Sequence, residues 1–121
     1  VPSESAKAAL TQAEGALRSD KLKDAEKQFR AILQGDPNLA EAHSGLAMAL
    51  YGMEKDGAAG AEARKALTLN SGSARAYLVL GLIASNKQDI ASAKKSYKRY
   101  LELEPNGEYA DEVRRFMKAQ Q

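Results

Sequence analysis

The sequence predicts an all-α solenoid: three helix–turn–helix units followed by a terminal helix. Three observations carry this. First, the pattern of Ala74 to Gly107, ARAYLVLGLIASNKQDIASAKKSYKRYLELEPNG, recurs 34 residues earlier from Ala40 to Ser73, and again from Ala6 to Leu39. Second, each unit holds two amphipathic stretches around a short polar turn, the pattern of a helical hairpin. Third, the same Pro-Asn pair stops a helix twice, at Pro37-Asn38 and Pro105-Asn106.

The register holds position by position. Each unit opens Ala-x-Ala, at Ala6/Ala8, Ala40/Ala42 and Ala74/Ala76. The eighth position is small each time (Ala13, Ala47, Gly81), which lets paired helices approach closely. The twentieth is Ala25, Ala59 and Ala93, and the twenty-eighth is Leu33, Leu67 and Leu101. The twenty-fourth carries a ring in two of three units: Phe29, Ala63, Tyr97.

Residues 1–5 read as a lead-in, with Ser3 or Ser5 as the N-cap. The first helix is expected over Glu4 to Arg18 and the second over Leu22 to Gln34, after the polar exit Ser19-Asp20-Lys21. Gly35-Asp36-Pro37-Asn38 ends the second, with Gly35 as C-cap and Asn38 as the next N-cap. The second unit places helices at Leu39 to Met53 and Asp56 to Leu69, closed by Asn70-Ser71-Gly72-Ser73. The third places them at Ala74 to Ser85 and Asp89 to Glu104, around a turn at Asn86-Lys87-Gln88. A last helix is expected over Glu108 to Ala119.

On these residues the chain resembles the tetratricopeptide repeat family from about Ala6 to Gly107, whose helix–turn–helix period is 34 residues. Unit 3 matches best, in Tyr77, Leu80-Gly81, Ala93, Tyr97 and Pro105. Unit 1 matches in its second helix (Ala25, Phe29, Pro37) and departs at Gln12, where Leu is usual. Unit 2 departs most, with His43 at the aromatic position, Asp56 at an apolar one, Ala63 at the ring position and Ser71 at the Pro. The resemblance implies repeats at 6–39, 40–73 and 74–107 in a right-handed superhelix, with 108–121 as a capping helix. It also points to a bacterial setting, through the Ala-rich repeats and the ending Tyr-Leu-Glu-Leu-Glu-Pro-Asn-Gly.

In such a superhelix the first helix of each repeat lines the concave face, through positions two, five, nine and twelve. Here these are Lys7, Leu10, Glu14 and Leu17; Glu41, Ser44, Met48 and Tyr51; Arg75, Leu78, Leu82 and Ser85. Their spacing keeps each set on one helix face. The middle is apolar (Met48, Tyr51, Leu78, Leu82) and one end carries both signs (Lys7, Glu41, Arg75). This surface suits an apolar anchor of a peptide or amphipathic helix, with charge setting register. The alternative is that Leu78 and Leu82 pack against a neighbouring helix. Some family members hold a C-terminal carboxylate with Lys and Asn at positions five, six and nine. Those positions hold Leu10, Thr11, Glu14, Ser44, Gly45, Met48, Leu78, Val79 and Leu82, so that mode is not expected.

Gly57 and Gly60 weaken their helix by about 1 kcal/mol each. They are read as room for close packing, Tyr77 lying opposite Ala63. Lys94, Lys95, Lys98 and Arg99 are read as a solvated convex face. His43 is read as a half-buried histidine that softens its repeat when charged. The last helix places Tyr109, Val113, Phe116 and Met117 on one side, but a fourth repeat would bury Asp111, Arg114 and Arg115. It therefore reads as a rotated cap over the last repeat, or as a secondary interface through Tyr109 and Phe116.

Eighteen basic and 16 acidic residues leave a net charge of +2, which does not indicate a nucleic-acid footprint. There is no Cys, one His and no long uncharged apolar run, so no thiol chemistry, metal site or membrane insertion is expected. No nucleophile–base pair or phosphate loop is present, and neither an enzyme nor a cofactor is expected. The expected function is a protein-interaction scaffold in a larger assembly. The alternative is a self-associating element acting through repeat 2 or the last helix. The opening Val-Pro-Ser reads as a mature form or an excised domain. A cytoplasmic setting is favoured, with a periplasmic one open.

Overall fold

The computed structural model describes residues 2–121. Its helices are α1 (Glu4–Arg18), α2 (Leu22–Gly35), α3 (Ala40–Gly52), α4 (Asp56–Leu69), α5 (Ala74–Asn86), α6 (Ile90–Leu103) and α7 (Ala110–Ala119). α1 pairs with α2, α3 with α4 and α5 with α6. α2 then packs on α3 and α4 on α5, stacking the pairs. α1 touches α3 and α3 touches α5, so α1, α3 and α5 lie side by side and line one face. α7 packs on α6 at the far end. Of the expected lead-in, Val1 lies outside the described residues. Ser3 caps α1, its Oγ accepting from Ala6 N at 3.1 Å.

Two kinds of turn alternate, each with its own cause. Inside each repeat one residue is left-handed: Asp20 (φ 59°), Glu54 (φ 63°) and Gln88 (φ 61°), spaced 34 apart. Each closes the same cap. The amides of Lys21, Lys55 and Asp89 reach back at 2.9 Å to the carbonyls of Ala16, Leu50 and Ala84. Between repeats the chain instead extends, at Asp36 (φ −141°), Asn70 (φ −149°) and Glu104 (φ −134°). Asp36 and Glu104 precede prolines, which push the preceding residue out of the helical region. Asn70 has no such proline, and its own Oδ1 accepts from Gly72 N at 2.9 Å to turn the chain.

The glycine cap expected at Gly35 is absent. Gly35 is the last residue of α2, and no described glycine has positive φ. The N-cap of α3 is likewise Leu39, not Asn38, and makes no side-chain cap bond.

Rings are set on glycines both between repeats (Phe29 on Gly45) and within the third (Tyr97 on Gly81). A Cβ on Gly45 would stand 2.3 Å from the Phe29 ring, and one on Gly81 would stand 2.4 Å from the Tyr97 ring. Gly45 is at position six of the repeat after Phe29. In the next repeat the volumes are exchanged: Ala63 takes the ring position and Val79 replaces Gly45, both fully buried. Tyr77 packs against the cluster of Leu78, Tyr97 and Tyr100. It is half-buried, with the Arg99 guanidinium 5.9 Å from its ring centre.

α7 covers α6, as the capping reading expects, but its register is not the rotated one. Its buried residues are Ala110 and Val113, which continue the positions of Ala76 and Val79 in α5. Asp111, Arg114 and Arg115 are exposed. α7 is thus in the register of a fourth first helix. The Tyr100 hydroxyl accepts from Tyr109 N at 3.2 Å, and Arg114 donates to the Pro105 carbonyl. Gly107 lets the turn pass close by, since a Cβ there would lie 2.5 Å from the Tyr100 hydroxyl oxygen.

Candidate functional site

The concave face is built by α1, α3 and α5, and α7 bounds it across a cavity from α5. Arg75 stands at its centre. It donates to both carboxylate oxygens of Glu14 (2.6 and 2.7 Å), to Ser44 Oγ (3.1 Å) and to the Glu41 carbonyl (3.1 Å). One guanidinium therefore ties the first helices of all three repeats together. Ser44 is buried and donates in turn to the Glu41 carbonyl at 3.1 Å. The expected free charge at Arg75 is not free. Glu14 occupies it in the bidentate geometry preferred by carboxylates.

Beyond this strut, toward α7, lie two cavities. One, of about 280 Å³, is lined by Tyr51, Leu78, Leu82, Ser85, Tyr109 and Phe116, with Glu112 on its edge. The other, of about 230 Å³, is lined by Met48, Arg75, Leu78 and Tyr109, with Glu104 and Glu108 on its edge. Each is below the roughly 300–1,000 Å³ of small-molecule pockets and matches a side chain better than a cofactor. Among the described residues no three His, Asp or Glu side chains gather as metal ligands, and no helix is long and apolar enough to cross a membrane.

The predicted groove residues thus divide. Met48, Tyr51, Leu82 and Ser85 are half-buried and line the cavities. Leu78 is 2% exposed and Leu10 6%, so both belong mainly to the core and offer the groove only an edge. The Glu41 side chain is exposed, and its backbone rather than its carboxylate meets Arg75. Tyr51 accepts from Asn86 Nδ2 at 2.9 Å, which holds its ring at the α3–α5 seam. Tyr109 and Phe116, expected as a separate surface, are half-buried and continue the groove wall. Phe116 packs edge-on against Tyr97, with ring centres 5.1 Å apart. Sequence reasoning missed Glu104, Glu108 and Glu112. Running the 34-residue register past Gly107 puts Tyr109, Glu112 and Phe116 at positions two, five and nine, and would have found the α7 part of the wall.

The tyrosine hydroxyls register these surroundings. Burial first, then the charge of nearby carboxylates, pushes Tyr109 and Tyr100 above the usual phenol range. Glu108 and Glu112 act on Tyr109, with Arg75 opposing; Glu104 and Glu108 act on Tyr100, with a backbone hydrogen bond opposing. Tyr97 rises to about 12, mainly through burial and against a hydrogen bond with Ser85.

On the opposite side of α3, His43 is 8% exposed. Its Nε2 donates to the Pro37 carbonyl at 2.7 Å, and its Nδ1 stands 2.7 Å from Glu62 Oε1. Burial works to raise Glu62, but hydrogen bonds and charge from His43 and Lys65 win and hold it below the usual carboxylate range. Both ring nitrogens of His43 thus face an oxygen acceptor.

Residues 74–106 match the tetratricopeptide repeat family. The fold matches solved structures over almost its whole length. The first TPR of Spaghetti (RPAP3), bound to an HSP90 peptide SRMEEVD, superposes with a TM-score of 0.82 at 27% identity, covering 99% of this chain and 98% of that one. The first TPR domain of human RPAP3 gives 0.79 at 27% identity, over 95% and 91%. The type III secretion chaperone SycD of Yersinia enterocolitica, in complex with a peptide of the translocator YopD, gives 0.79 at 20% identity, over 98% and 93%. No curated protein sequence matches the chain.

Proposed function

We propose that this chain, a tetratricopeptide repeat domain by its fold and its third repeat, is a protein-interaction module whose concave face holds a peptide or amphipathic helix of a partner. The observation that supports this is the pair of side-chain-sized cavities walled by Met48, Tyr51, Leu82 and Tyr109, open on the face made by the first helices. Such cavities receive anchor side chains, and anchors supply most of the binding energy of a peptide interface. The similar Spaghetti domain is a peptide-bound structure, which favours the same class of ligand here. Recognition of a C-terminal carboxylate is not part of the reading, because Glu14 already fills Arg75. The module acts as a scaffold within a larger assembly and carries out no chemistry of its own.

The test is selection from a displayed random-peptide library. Peptides enriched on the wild type are expected to lose binding to Met48→Glu and Leu82→Glu, with helicity retained in both. Enriched peptides that bind both variants unchanged would sink the groove assignment.

A further inference from the structure

The two cavities share Leu78 and Tyr109, so they are neighbouring seats on one wall. Three carboxylates stand on their rim. Glu104, Glu108 and Glu112 are all exposed, and none forms a salt bridge among the described residues. Arg75, which lines the second cavity, is paired with Glu14, and Arg18 lies with Glu108 and Tyr109 on an adjoining cavity without a salt bridge to Glu108. The raised phenols of Tyr100 and Tyr109 respond to these same carboxylates. The α7 end of the groove therefore combines apolar seats with a negative edge.

The geometry points to a cationic amphipathic segment as the occupant: apolar side chains three or four residues apart in the two cavities, flanked by lysine or arginine facing Glu108 and Glu112. This rests on the groove reading above and gives it a ligand class. Rim charge selects the partner and its approach, while the seated side chains hold it. An acidic segment meets repulsion from the rim and finds Arg75 occupied.

The experiment titrates the wild type with two synthetic amphipathic peptides, leucines on one face and lysines on the other, or glutamates in place of the lysines. The lysine peptide is expected to bind at least about tenfold more tightly than the glutamate peptide. Its affinity should fall as salt rises, as an exposed charged rim requires. Glu108→Lys combined with Glu112→Lys should remove this preference, and Leu82→Glu should remove binding, both with wild-type helicity. A glutamate peptide that binds equally well and is lost in Leu82→Glu overturns the inference and leaves the groove reading standing. Binding of neither peptide, or lysine-peptide binding untouched by both sets of substitutions, overturns it as well. So does a concentration-dependent dimer in light scattering that excludes the lysine peptide, since a second copy then fills the groove.

Discussion

Arg75 donates two hydrogen bonds to the carboxylate of Glu14, at 2.6 and 2.7 Å, and so joins the third repeat to the first across 61 residues of sequence. Both side chains are about three-quarters covered, at 25% and 22% exposure. Their coupling should exceed that of a surface pair, at about 1–2 kcal/mol. A double-mutant cycle with Glu14→Gln and Arg75→Gln, read by urea denaturation, measures it. Additive single effects would show that the strut carries no stability.

Stability should respond to acid through Glu62. Its folded-state pKa is lowered, so its contribution is present above the ordinary glutamate range and is lost as pH falls through the depressed value. Thermal melts of the wild type and Glu62→Gln should differ at pH 7 and converge by about pH 3. A constant gap across that range would show that the His43–Glu62 contact is not what Glu62 contributes.

The left-handed residues of the intra-repeat turns are open to improvement. Glu54 and Gln88 sit at φ 63° and 61°, where a Cβ is disfavoured and glycine is not. Glu54→Gly and Gln88→Gly should each stabilise the fold by roughly 0.5–1 kcal/mol. The denaturation midpoint in urea reads the sign directly.

Ring and glycine should trade places as a unit. Gly45→Ala forces a Cβ into the Phe29 ring and should cost about 1–3 kcal/mol. Phe29→Ala alone should cost about 3–5 kcal/mol through the cavity it leaves. The double variant Phe29→Ala with Gly45→Val recreates the Ala63 and Val79 arrangement of the next repeat and should recover part of that loss. Chemical denaturation of the three variants decides whether the volumes are exchanged as described.

The period, the helices and their pairing were legible from sequence because each is a local or short-range property repeated three times. Ala25, Ala59 and Ala93 are all fully buried at the place the register assigns. The left-handed positions were not marked, since Asp20, Glu54 and Gln88 are unlike one another and none is glycine. The Pro-Asn turns were found, but for a partly wrong reason: proline acts on the extended residue before it, and Gly35 does not cap. The groove's charge was misread because Glu14 and Arg75 lie two repeats apart and only the curvature of the stack brings them together. α7 was legible as a cap on α6, but its register was misread because exposed polar residues at Asp111, Arg114 and Arg115 looked like a rotation, while Ala110 and Val113 keep the positions of Ala76 and Val79.

The central claim, that the concave face takes a peptide, is tested most directly by amide chemical-shift mapping with a library-selected peptide. The account predicts that the largest shifts fall at Met48, Tyr51, Leu82 and Tyr109, the residues that wall the two cavities. Shifts concentrated instead on the exposed convex side chains of α6, at Lys94, Lys95 and Lys98, would contradict it.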